Sequence, residues 1–178
     1  MIVDSRSELR SLTSAALALA VSTVCLLIFR GPVSIVAALI IPAVIVLFAC
    51  QNKPLYSGLL SIGLLVVTLL FFQTQLLFVA GYLCLALALN NLLISADMKV
   101  RLHPLPVMLY LLVTVIILYG GIRLTEHLFL VPLHQMMLRL SGHNPLRYAA
   151  IIFAESLFIC AFNVVILKLF ISRTAGAR

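Results

Sequence analysis

Six side chains are of the kind that hold a small molecule without transforming it: Glu155, Tyr148, Gln73, Gln75, Tyr82 and Tyr119. Together they supply a charge, amide donors and acceptors, and phenol rings to stack on. Glu155 most needs a reason. It stands inside residues 148–171, YAAIIFAESLFICAFNVVILKLFI, an apolar run of 24 residues. Such a run is long enough to cross a bilayer with some tilt. A charge within it costs about 3 kcal/mol on insertion scales. Tyr148 lies seven residues earlier, on the same helical face. One reading makes Glu155 a ligand for a solute. The other makes it a dock, pairing with Arg123, Arg139 or Arg147, or protonated and bonded to a carbonyl.

Catalytic chemistry finds no support. The sequence has no Ser-His-Asp arrangement, HExxH, Walker A or Gly-rich phosphate loop. His127 and His134 are separated by Pro132 and lack a third metal ligand. Cys25, Cys50, Cys84 and Cys160 sit singly in or beside apolar runs, with no CxxC pair, and read as small apolar side chains. The expectation is a protein that is not an enzyme, with no cofactor and no metal. Asn163 reads as an interhelical hydrogen bond, and Asn90 and Asn91 as ties between helices.

The positioning elements are membrane helices. Of the 178 residues, 64% are hydrophobic and 10% charged, with mean hydropathy +1.25. A soluble domain carries about a quarter charged residues, so lipid is the expected solvent. The chain reads as one transmembrane domain, all-α, with about six spans near residues 11–29, 33–50, 55–72, 76–95, 105–119 and 148–171. Residues 1–10 form a short amphipathic lead-in, and the first span reads as a retained helix and not a cleaved signal. Arg30-Gly31-Pro32, residues 51–54 and residues 73–75 make turns. Pro42 should kink the second span, Pro104 and Pro106 open the fifth, and Gly120-Gly121 end it. Residues 121–147 mix Arg123, Glu126, His127, His134 and Arg139 with leucines, and read as an amphipathic or re-entrant segment that does not cross.

Net charge is +7, yet no run of five basic residues exists, and no nucleic-acid partner is expected. Lysines and arginines instead set orientation. With six spans, eight of them (Arg6, Arg10, Lys53, Lys99, Arg101, Lys168, Arg173, Arg178) fall on the side of the N-terminus and four (Arg30, Arg123, Arg139, Arg147) on the other. Both termini are therefore expected in the cytoplasm, and the protein in a plasma, bacterial inner, membrane. Glu155 then lies ~10 Å below the outer surface, at ~1.5 Å per residue. Span one carries small residues at four-residue spacing, Ser14, Ala18 and Ser22 in one row and Ala16 and Ala20 in another. Such rows let a partner helix approach closely.

Six short spans, inner termini and an irregular outer segment before the last span resemble the S components, the substrate-binding membrane subunits of energy-coupling-factor transporters. SELRSLTSAALALA at 7–20, with Ala16 and Ala20 as AxxxA, and YSGLLSIG at 56–63 carry the resemblance. It implies a vitamin-like solute taken from the outer side, a coupling subunit against span one, and separate ATPase subunits. The layout is also similar to a family of rod-shape-determining membrane proteins, whose members scaffold cell-envelope proteins. That family usually has an Asp after the core of the third span, and residues 64–71 have none. The expected partners are membrane lipid, other membrane subunits and a small-molecule solute.

Overall fold

A computed structural model describes residues 2–28, 35–94 and 102–176, with side chains over 8–28, 35–94 and 102–171. The described residues are helical almost throughout, with seven α-helices: α1 Ile2–Ile28, α2 Ile35–Gln51, α3 Pro54–Phe71, α4 Leu76–Ala88, α5 Pro104–Phe129, α6 Leu133–Leu140 and α7 Pro145–Gly176. Five helical stretches are long and apolar enough to cross a membrane, and α2 is a shorter apolar helix.

Short connections fix the order in space. Asn52 and Lys53 alone join α2 to α3, and one tight turn, Gln73–Gln75, joins α3 to α4. The bundle thus has a Lys53 end and a Gln73 end. Helix α2 sits at the centre, packed against α1, α3, α4 and α7. It carries no charged residue, and a helix apolar all round belongs in the interior. Pro42 lies inside α2 at a buried position, with helix on both sides.

Several hydroxyls inside the helices are satisfied locally, whereas the buried hydroxyls of Ser22 and Thr125 make no hydrogen bond among the described residues. Thr68 donates to Leu64 O at 2.7 Å, Thr114 to Tyr110 O at 2.8 Å and Ser156 to Ile152 O at 2.8 Å. This i−4 bonding removes the cost of a bare donor where no water reaches. Between helices, Asn163 Nδ2 on α7 donates to the Tyr110 hydroxyl on α5 at 3.2 Å, both side chains fully buried. Asn163 thus makes the interhelical bond its type suggested. Asn90 and Asn91 are exposed and make no side-chain hydrogen bond among the described residues. They sit in a wide, i→i+5 turn, Leu89–Leu93, that ends α4.

Three expectations require correction. Residues 1–10 are no separate lead-in, because α1 runs unbroken from Ile2. Gly120-Gly121 do not end a span: α5 continues through them to Phe129. Glycine serves packing there. A Cβ on Gly121 would lie 2.8 Å from Phe78 Cε1 of α4. One turn along, Gly81 of α4 receives Ile117 Cγ2 of α5 in the same way. The third correction follows: residues 121–147 are not one segment. Residues up to 129 extend α5, a turn follows, and only α6, ~12 Å long at ~1.5 Å per residue, stands alone. The turn at Arg30-Gly31-Pro32 and most of the loop at 96–103 lie outside the described residues.

The Gly81–Ile117 contact gives a measurable outcome. Gly81→Ala should destabilise the protein by about 1–3 kcal/mol, the usual cost of overpacking. Adding Ile117→Ala removes the obstructing methyl and should restore part of the loss, read as coupling in thermal unfolding in detergent.

Candidate functional site

The Gln73 end gathers the polar side chains. Helix α5, ~39 Å long at ~1.5 Å per residue, exceeds the ~30 Å hydrocarbon core. Its last turns carry Arg123, Glu126 and His127, of which Arg123 and His127 are exposed. Leu130 then adopts a left-handed φ of 54° and Pro132 follows, which stops the helix. Helix α6 turns Leu133, His134, Met137 and Leu138 toward the bundle and leaves Gln135, Met136, Arg139 and Leu140 exposed. It closes through Gly142 and His143, both at positive φ, and His143 N donates to Leu138 O at 2.7 Å. Asn144 caps α7 by accepting from Leu146 N at 2.9 Å and Arg147 N at 3.3 Å. The α5–α6–α7 corner is thus built from local rules.

Tyr148 is the hinge of this corner. Its ring is buried, and its hydroxyl shares a 3.2 Å hydrogen bond with His134 Nδ1 of α6. The His134 ring meets it edge-on, centroids 5.1 Å apart. On the other side lies Tyr119 of α5, centroids 6.4 Å apart and tilted. Arg123 donates to the Tyr119 hydroxyl over a long 3.4 Å and lies 5.9 Å above that ring. Arg123, Glu126 and Glu155 all fall within electrostatic reach of Tyr148.

Glu155 is half-buried, two turns deeper on α7 than Tyr148. It makes no hydrogen bond and no ion pair among the described residues. Pairing with Arg123, Arg139 or Arg147 is therefore not what the described side chains do. At the same end, an open hollow of about 510 Å³ lies between α6 and α7, lined by Arg139, Ser141, Arg147 and Ile151 among others, but not by Glu155, Tyr119 or Tyr148. Ile151, in its wall, is one turn above Glu155 on α7.

Sequence reasoning named six residues, and the fold treats them unequally. Tyr119 and Tyr148 come together on the α5–α7 face, and Glu155 lies two turns from Tyr148 along α7. Gln73 and Gln75 lie at the same end, in the turn before α4, with Gln73 exposed and Gln75 buried. Tyr82 is enclosed in the core of α4, 1% exposed, one residue from the Gly81–Ile117 contact. The reading missed His134 and Arg123 as partners of the phenols. Arg123 was findable, because it is four residues beyond Tyr119 on one helix. His134 was not, because its approach to Tyr148 depends on the turn between α5 and α6.

The rows on α1 also separate. Ala18 and Ser22 are buried in the bundle and Ser14 is partly covered, whereas Ala16 and Ala20 are exposed. The first row is used within this fold, and the surface open to a partner is the second. Among the described residues no cluster of His, Cys, Asp and Glu could hold a metal, and all four cysteines are free thiols. No protein-family model, curated protein or solved structure matches the chain.

Tyr148→Phe removes the bond to His134 and should cost about 1 kcal/mol of stability. It should also loosen α6, seen as faster proteolysis within residues 130–144. Combined with His134→Ala, the loss should be less than the sum of the two single losses.

Proposed function

We propose that the chain is a membrane-embedded, non-catalytic subunit that binds a small vitamin-like solute at the Gln73 end and passes it to partner subunits. In this reading the chain crosses six times, α2 being the short crossing, with both termini in the cytoplasm of a cell bounded by its plasma membrane. The Gln73 end then faces outward. The S-component resemblance fits this layout.

One observation carries the proposal: Glu155, half-buried in an apolar helix, has no partner among the described residues. An unpaired carboxylate in hydrocarbon costs several kcal/mol unless something donates to it. A solute bearing an amine, amide or hydroxyl would supply that donor. Tyr119 and Tyr148 offer rings to hold its apolar part, and Arg139 and Arg147 at the hollow draw polar molecules from water. In this reading helix α6, held by the His134–Tyr148 bond, is the cover over the solute. Gln73 and Gln75 would complete the rim, and Tyr82 would support it from within.

The test is the solute itself. Protein purified in mild detergent should release a small molecule identifiable by mass spectrometry. Glu155→Gln, similar in size but uncharged, should lower its occupancy at least tenfold with little change in melting temperature. Unchanged occupancy in Glu155→Gln would end the pocket reading.

A second reading, a scaffold subunit of a cell-envelope assembly, is favoured by the exposed Ala16 and Ala20 on α1. Only 17% of the apolar window of α1 is buried in the bundle. Ala16→Leu and Ala20→Leu should break up co-purifying complexes, measured by size-exclusion chromatography. Loss of the complex with solute occupancy intact assigns this face to a protein partner under either reading. If a complex forms yet no small molecule is ever recovered, the scaffold reading stands alone.

A further inference from the structure

The Lys53 end has a chemistry of its own. There α2, α3 and α4 enclose a cavity of about 500 Å³, within the ~300–1,000 Å³ typical of small-molecule sites. It exists because α3 presents only Pro54 and the small Ser57, Gly58 and Ser61 along that wall. A Cβ built on Gly58 would meet nothing within 4 Å. The hollow opens between Gly58 and Leu87, both exposed, and Leu59 beside the opening is exposed as well. The mouth therefore lies among apolar residues.

The walls are mostly apolar, with polar groups of one character. Asn52 Nδ2 donates to Phe48 O at 3.0 Å, which leaves its Oδ1 as an acceptor. Ser57 and Ser61 donate to their own helix, to Pro54 O at 2.8 Å and Ser57 O at 2.9 Å. The side chain of Asn90 stands exposed in the wide turn that ends α4. Such i→i+5 turns recur at functional sites. Lys53 lies between Asn52 and Pro54, exposed, at the start of α3 where the helix dipole is positive. The sequence holds no acidic residue between Glu8 and Asp97. Lys53 is thus a cation on three helices that carry no anion.

We propose that this cleft binds a phospholipid with an anionic headgroup. One acyl chain fills the hollow between α3 and α4. The phosphate sits at Lys53 and the first turn of α3. The amide of Asn90 donates to the ester carbonyls, and Asn52 Oδ1 accepts from headgroup hydroxyls. This site is independent of the solute site at the opposite end.

Native mass spectrometry of the detergent-purified protein tests it, with phosphatidylglycerol and phosphatidylcholine of identical chains as probes. The expected result is one phosphatidylglycerol per chain, held at least tenfold more tightly than phosphatidylcholine. Gly58→Leu fills the open space and should weaken both lipids tenfold or more at an unchanged melting temperature. Gly120→Leu, where a Cβ also meets nothing within 4 Å, is the control and should bind as the parent does. Lys53→Gln, a surface change, should bring phosphatidylglycerol down to the phosphatidylcholine level. Equal binding of the two lipids by the parent protein overturns the proposal. So does unaltered phosphatidylglycerol binding in Gly58→Leu and Lys53→Gln, or a Gly58→Leu that expels a co-purifying protein while its lipid count stays the same.

Discussion

Hydrocarbon offers a polar group no water, so each donor and acceptor within the bundle must be answered by the protein or by a ligand. The organisation of the molecule follows from that constraint. The hydroxyls of Thr68 on α3, Thr114 on α5 and Ser156 on α7 bond back to their own helices. The deepest amide, Asn163, crosses to Tyr110 and thereby sets the register of α5 against α7. That register brings Tyr119 to Tyr148 nearer the Gln73 end, and Tyr148 in turn holds α6 through His134. Ser22 Oγ, Thr125 Oγ1 and Asn163 Oδ1 are buried without a hydrogen bond among the described residues, and Glu155 stands out from these as a carboxylate that nothing described answers.

Packing supplies the second half of the account. Lipid tails are as apolar as leucine, so helices associate through close fit and not through exclusion from water. Gly81 and Gly121 let α4 and α5 meet at van der Waals distance, with Ile117 and Phe78 as the side chains that fill the gaps. Gly58 shows the opposite use of the same residue, since nothing fills the space beside it. Two glycines draw a helix pair together at one end while a third leaves α3 and α4 apart at the other. The two ends of the bundle thus differ in character: aromatic and mixed in charge at Gln73, small-walled beside Lys53.

Much of the local architecture was legible residue by residue. Pro104 opens α5, and the turn at Gln73–Gln75 separates α3 from α4, both as read; α7 begins at Pro145, three residues before the expected start. These signals are local, because proline geometry and side-chain capping act within one turn of helix. Gly120-Gly121 misled for a related reason. Glycine costs a helix about 1 kcal/mol in water, yet in a tightly packed apolar bundle the gain from close approach to Phe78 outweighs it.

The sequence by itself determined the class of the molecule: helices too apolar for water, too few charges for a soluble surface, and one carboxylate out of place in the last helix. Tertiary structure alone decided which face of each helix looks inward. Helices apolar all round carry no stripe to distinguish a lipid-facing side from a core-facing one, so the rows Ser14–Ala18–Ser22 and Ala16–Ala20 read alike until α1 was seen against its neighbours. The same holds for the meeting of His134 with Tyr148 and for the cleft beside Gly58. Each depends on the relative placement of separate helices, a property of shape complementarity that no single helix encodes.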